Sequence, residues 1–428
     1  MKHQKHIMSN GLRVVMIPRN DTGVITVMLG FGVGSRDEPE NLAGLSHFVE
    51  HMSYKGTKKR PKAKTVAEFI DDIGGVTNAY TGKEYTVYYA KTTSEHLPRI
   101  LDYLSDNIVN SANLENDVEH EKSVILEDIN MHKDRPMEEV AEIFEEAVFP
   151  QKSLGKRIIG VSQSVANITR ENIIEYRNRY YVADNALLII AGDYAKFKDN
   201  EILRIVERYF ILRRGNRNLR KKSEFNCNFT YKAQSRKTKQ SNLIIGFPAP
   251  GLISDEWMAI KMLSKILGGS MSSRMYREIR ENRGLAYAIT SGYLGYSDLG
   301  ALYTQAGVSN NNIFESITAL IIEYQKIVSR GINLSELKRA EEIISNGILI
   351  NNEGSEALAR QIISMKFQQN KLITSEELID KYKSIKKEDV MKVAEKYINF
   401  NNMIISLVGP RIKDIKLNEL LKRISRQK

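Results

Sequence analysis

Two stretches half a chain apart read alike, and that likeness limits the folds available. Asn185-Ala186-Leu187-Leu188-Ile189-Ile190-Ala191-Gly192-Asp193 and Asn402-Met403-Ile404-Ile405-Ser406-Leu407-Val408-Gly409-Pro410 share a polar start, an apolar run and a glycine near the end. Earlier in each half, Val24-Ile25-Thr26-Val27-Met28-Leu29-Gly30 and Ser241-Asn242-Leu243-Ile244-Ile245-Gly246-Phe247 both read as opening strands. A chain of 428 residues also exceeds one ordinary core. We therefore expect a duplicated domain, residues 1–210 and 241–428, joined by a linker over 211–240.

That linker carries much of the charge. The formal net charge is +11, and residues 211–240 hold ten Lys and Arg against Glu224 alone, so little basic excess is left elsewhere. The run lacks the interleaved aromatics of a stacking surface, so it reads as a solvated connection and no nucleic-acid partner is expected. The longest apolar run, Ala186 to Ala191, is far short of the ~20 residues that cross a bilayer, so no membrane insertion is expected. Met1 to His6 lead straight into Leu12-Arg13-Val14-Val15-Met16 without the apolar stretch of a signal peptide. The single cysteine, Cys227, forms no intramolecular disulfide and fits a reducing, cytoplasmic setting. A metal would therefore need histidine and carboxylate ligands.

Within the first half, Val66, Phe69, Ile70 and Ile73 recur at helical spacing before the stop at Gly74-Gly75. Val76 to Tyr80 and Glu84 to Thr92 flank Thr81-Gly82-Lys83 and read as a β-hairpin. Leu97, Ile100, Leu101, Leu104 and Ile108 form the next amphipathic pattern, and in the second half Asp255 to Leu267 reads as a helix. Strands followed by runs of helix predict an α+β fold, each domain a mostly antiparallel sheet with helices packed on it.

The chemistry gathers at His47-Phe48-Val49-Glu50-His51. At ~100° per residue, His47, Glu50 and His51 share one helical face while Leu45, Phe48, Val49 and Met52 occupy the other. Imidazoles at i and i+4 reach one Zn²⁺, and a carboxylate between them serves a water acidified by the metal. Such a pattern arises by chance in about one chain in a hundred, so a third ligand is the test. Leu114 to Met131 supplies candidates: Glu121 and Asp128 share a helical face with Val118, Ile125 and Ile129, whereas Glu127 points the opposite way. Inward carboxylates need partners, which a metal, a histidine or a salt bridge would supply.

These residues resemble the pitrilysin family, in the half-length group that includes mitochondrial processing peptidases and their bacterial relatives. The likeness runs through Gly44 to Met52, Lys55-Gly56-Thr57, Asn78 to Thr81, Glu84 to Ala90, Leu154-Gly155 and Ile159-Gly160. It resumes in the second half over Leu267 to Arg274 and Arg280 to Tyr287. The resemblance implies zinc held by His47, His51 and Asp128, with Glu50 as general base and Glu121 as a further catalytic carboxylate. It also implies a substrate strand added at Asn78 and Ala79, and a substrate carbonyl held by Arg280 and Tyr287. Gly268-Gly269-Ser270 resembles the family's flexible loop and lacks the Lys of a phosphate loop. The family has Glu where this chain has Asp128, whose reach is shorter by about 1.5 Å.

The resemblance thus implies a zinc endopeptidase that cleaves peptides or unfolded, presequence-like segments inside a clam-shell chamber formed by a homodimer. Its rival is a chamber-forming scaffold subunit with weakened or lost catalysis, which Asp128 favours and the intact His47, Glu50 and His51 oppose. A serine or cysteine hydrolase is a poor reading, since no Gly-x-Ser-x-Gly elbow occurs and Cys227 lies in the linker.

Overall fold

The computed structural model describes residues 3–150, 153–225 and 228–410. Cys227 lies outside them. The fold is α+β, as expected, and the chain forms two compact units. The first comprises Met1–Asn130, Lys152–Lys221 and Leu349–Glu376; the second comprises Met131–Gln151, Lys222–Ile348 and Glu377–Lys428.

The first unit is built on strands β1 (Gln4–Ile7), β2 (Arg13–Pro18), β3 (Val24–Phe31), β4 (Val76–Thr81), β5 (Thr86–Thr93) and β6 (Ala186–Gly192). They lie in the order β1-β2-β6-β3-β5-β4, with β2 and β6 parallel and every other pair antiparallel. The hairpin expected from the sequence is β4 and β5.

One face of this sheet, carrying Val14, Met16, Val27, Leu29, Phe31, Leu188 and Ile190, packs on helices α1 (Leu45–Met52), α2 (Ala63–Asp71), α3 (Leu97–Val109) and α4 (Glu115–Lys133). The opposite face, with Val15, Ile17, Met28, Leu187 and Ile189, is covered by Leu358, Ile362, Ile363 and Phe367 of the helix Ser355–Gln369. Burial on both faces explains why β6 is an unbroken apolar run and β3 is apolar but for Thr26, rather than alternating.

The second unit repeats the plan with β7 (Thr230–Ser235), β8 (Gln240–Pro250), β9 (Ala286–Gly295), β10 (Leu299–Ser309) and β11 (Ile404–Gly409). Their order is β7-β11-β8-β10-β9, again with one parallel pair, β7 with β11. Here the covering helix is α5 (Pro136–Val148), which packs on β8 and β11.

Each sheet is therefore covered in part by a helix from the other half of the sequence. Gly30 of β3 and Gly246 of β8 stand at matching positions, opposite Leu187 and Ile404 respectively. A Cβ at Gly30 would come within 2.5 Å of Ile363, and one at Gly246 within 2.5 Å of Phe144. Both glycines allow the covering helix a close approach.

The basic span 211–240 is less free than a solvated linker. Thr230–Ser235 is strand β7, and Arg220 grips Asp37 through Nε at 2.8 Å and Nη2 at 2.6 Å. A guanidinium paired with a carboxylate tolerates the half-buried surroundings that an unpaired charge would not. No described helix is long and apolar enough to cross a membrane.

Candidate metal centre

Helix α1 presents the motif because its other side is anchored: Leu45, Phe48, Val49 and Met52 are buried, while His47, Glu50 and His51 are only partly covered. Its start is held by Glu38, whose Oε2 accepts the Gly44 N–H at 2.8 Å and whose Oε1 accepts the Ser46 N–H at 2.7 Å. Burial pushes the Glu38 carboxyl up to about 7, against the two backbone donors and the nearby Lys156 ammonium. Gly44 has φ +97, and a Cβ on it would lie 2.8 Å from the Ile159 carbonyl. Only glycine meets both demands without strain.

Across from α1, α4 buries Val118, Glu121, Ile125 and Ile129 in one stripe, leaves Asp128 half-buried and turns Glu127 to solvent. The Nε2 atoms of His47 and His51 are 3.2 Å apart, and Asp128 Oδ2 lies 3.9 Å from His47 Nε2. Ligand atoms of these three residues all fall within 4.8 Å of one another, and among the described residues they form the one such group.

Two nitrogens held at ~2.0–2.1 Å by a tetrahedral zinc stand about 3.3 Å apart, so the histidine pair already matches the ion. Asp128 would need to close by about 1 Å, within reach of a side-chain rotation. The donor set fits zinc.

Surrounding groups set the orientation. Glu121 Oε1 lies 2.7 Å from His51 Nδ1, and its other oxygen pairs with Lys55. That contact makes His51 Nδ1 the donor and leaves Nε2 free of its proton for a metal. Glu121 is 1% exposed, so it is enclosed behind the histidine rather than presented to a ligand. Its burial pushes the carboxyl up, yet the bonds from His51 and Lys55 outweigh this and hold it below the ordinary range. Glu50 shows the opposite balance: burial raises it, against a hydrogen bond donated by the Thr81 hydroxyl.

The remaining expected residues are placed as follows. Asn78 and Ala79 lie on β4, an edge strand whose described pairing is with β5 alone. Asn78 Oδ1 accepts the Ala79 N–H at 2.8 Å. Arg280 and Tyr287 belong to the second unit, Arg280 on the π-helical turn Tyr276–Asn282 and Tyr287 near the start of β9. The guanidinium sits 5.6 Å from the centre of the Tyr287 ring. Tyr287 is 75% exposed, which rules out a core aromatic. Glu38, Lys55 and Thr81 had no assigned role in the sequence. Lys55 and Thr81 fell within stretches of the resemblance, and Glu38 gave no signal.

An inverted His-x-x-Glu-His helix facing a second helix of carboxylates is the arrangement of the inverzincin class. Residues 13–162 match the family model described as insulinase (Peptidase family M16), and residues 167–344 match the Peptidase M16 inactive domain. A Bacillus subtilis protein named uncharacterized zinc protease YmxG is 31% identical over 412 residues, covering 95% of this chain and 98% of that one. An uncharacterized zinc protease of Rickettsia felis is 32% identical over 406 residues, covering 94% and 96%. The chain belongs to peptidase family M16.

Solved structures share the fold. A protease from Helicobacter pylori superposes with a TM-score of 0.86 at 22% identity, covering 96% of this chain and all of that one. A Pseudomonas fluorescens structure titled as a peptidase M16 inactive domain gives 0.88 at 16% identity, covering 96% and 98%.

Proposed function

We propose that the chain is a zinc-dependent endopeptidase acting on peptides or unfolded, presequence-like segments. The observation that carries this reading is the convergence of His47, His51 and Asp128, with Glu121 behind His51 and Glu50 alongside. When bound there, zinc would supply a Lewis acid for the scissile carbonyl and make water more acidic.

Glu50 takes the attacking water's proton and returns it to the amine nitrogen as the C–N bond breaks. A carboxyl raised by burial suits that exchange, and Thr81 fixes its rotamer. Glu121 acts through His51 as a positioning residue. The free edge of β4 takes the substrate backbone as an added strand at Asn78 and Ala79.

In this reading the protein is a cytoplasmic homodimer enclosing its substrate, with Arg280 and Tyr287 of one subunit steadying the oxyanion at the other's metal centre. The exposure of Tyr287 beside Arg280 supports it. A second reading, a scaffold subunit with lost catalysis, is favoured by the 3.9 Å between Asp128 and His47.

Mixing Glu50→Gln protein with Arg280→Ala protein, each inactive alone, tests enzyme and dimer together. Mixed dimers hold one site with both groups intact, so peptide cleavage returns as subunits exchange. Continued inactivity of verified mixed dimers contradicts the proposal.

A further inference from the structure

Hairpin tips usually lie in solvent, yet the tip joining β4 to β5 is enclosed: Lys83 is 4% exposed and Glu84 1%. Backbone and side chains both hold it. The Gly82 carbonyl accepts the Ser35 N–H at 3.2 Å, and the Lys83 carbonyl accepts the Arg36 N–H at 2.9 Å. A Cβ at Gly34 would stand 2.2 Å from the Gly82 carbonyl oxygen, so this approach needs a residue without a side chain. Arg36 Nη1 donates to Glu84 Oε1 at 2.8 Å, and Lys83 Nζ donates to the Lys156 carbonyl.

One member of this clamp comes from far away in the sequence. Arg220 Nη2 donates to the Glu84 carbonyl at 2.5 Å and to Asp37 Oδ2 at 2.6 Å, while its Nε donates to Asp37 Oδ1 at 2.8 Å. The guanidinium thus bridges the hairpin tip to the segment that follows β3. Asn218 steadies its approach, donating its N–H to Asn185 Oδ1 and its Nδ2 to the Gly32 carbonyl, each at 3.2 Å. Asp37 is fixed in turn, since its Oδ2 accepts the Gly34 N–H at 3.0 Å.

β4 depends on that tip more than the other strands of the hairpin and sheet centre do. Its described pairing is with β5 alone, and none of its residues is buried. We propose that Arg220 is a positioning residue for the substrate: by closing the tip it holds β4 where Asn78 and Ala79 meet an added backbone. The proposal rests on the endopeptidase reading. A guanidinium suits the task because its rigid fork reaches a carbonyl and a carboxylate together, whereas a lysine ammonium is a single point charge.

Hydrogen–deuterium exchange and steady-state kinetics on the full chain test it. Two variants are compared with wild type: Arg220→Gln, and Arg220→Gln combined with Asp37→Asn, which leaves no buried carboxylate stranded without its cation. In both, the amides of residues 76–81 should exchange at least about tenfold faster while those of β3 and β6 are unchanged. KM for a peptide of about ten residues should rise at least about fivefold, with kcat per bound zinc changed less than about twofold, the pattern of lost ground-state binding. A general loss of fold would instead lower kcat through the active fraction and leave KM unchanged.

Unchanged exchange in β4, faster exchange spread equally over β3 and β6, or a fall in kcat at constant KM overturns the proposal. If wild type cleaves no peptide, the endopeptidase reading fails by itself. The exchange result then decides the role of Arg220: faster exchange confined to β4 upholds its hold on the edge strand, and any other pattern refutes it.

Discussion

Glu121 lies 2.7 Å from the Nδ1 atom of His51 and uses its other oxygen to hold Lys55. One buried carboxylate thus ties the second histidine of the motif to a cation just beyond the end of α1. Replacing the charged oxygen with a neutral amide oxygen weakens the hold on the imidazole. Glu121→Gln is expected to weaken zinc binding about 10- to 100-fold with the fold intact, measured by competition with a chromogenic chelator. Unchanged affinity would mean that His51 is oriented by other contacts.

The same carboxylate predicts a pH effect on the metal-free protein. Its pKa in the folded state lies below the ordinary value of 4.5, because the bonds from His51 and Lys55 outweigh burial. A depressed folded-state pKa stabilises the fold above the unfolded value, and that contribution is lost as pH falls through the folded one. Melting temperatures measured downward from pH 6 should therefore fall more steeply in wild type than in Glu121→Gln. Parallel curves would contradict the assignment.

Asp128 and Glu127 are neighbours with opposite orientations, Asp128 near His47 and Glu127 in solvent. Asp128→Asn should weaken zinc binding by at least about tenfold, whereas Glu127→Gln should leave it unchanged. Zinc titration of the two variants decides the order, and the reverse result would place the third ligand at Glu127.

Residues 1–210 should not fold alone. Without the helix Ser355–Gln369, the face of β3 and β6 that meets Leu358, Ile362, Ile363 and Phe367 is left open. Burial of these four side chains is worth about 6–12 kcal/mol, as much as the whole stability of many domains. The fragment should lack a cooperative melt and bind 8-anilinonaphthalene-1-sulfonate, and a peptide spanning 349–376 should restore the melt. A cooperative melt without the peptide would show the helix to be dispensable.

His47, Glu50 and His51 are legible in the sequence because helical spacing is local: three residues within five positions fix their own common face. Glu121 and Asp128 follow from the apolar stripe they share with Val118, Ile125 and Ile129. The supports were not legible. Glu38 reaches α1 through irregular chain, Thr81 meets Glu50 from a strand 31 residues away, and no periodicity reports either contact.

The same limit hides the covering helices. The pattern of Ser355–Gln369 predicts an apolar face but not the sheet it meets, and Gly30 reads as an ordinary strand glycine until Ile363 lies against it. Charge counting placed Arg220 in a solvated linker because composition cannot show that one of ten cations has found Asp37.

The most direct measurement is zinc content paired with cleavage of a quenched-fluorescent peptide, for wild type and Glu50→Gln side by side. Glu50 stands next to the ligand group without belonging to it, so its replacement removes the base and spares the metal. The expected result is about one zinc per chain in both proteins, chelator-sensitive turnover in wild type, and at least about a hundredfold loss in the variant. Turnover in Glu50→Gln equal to wild type would contradict the account.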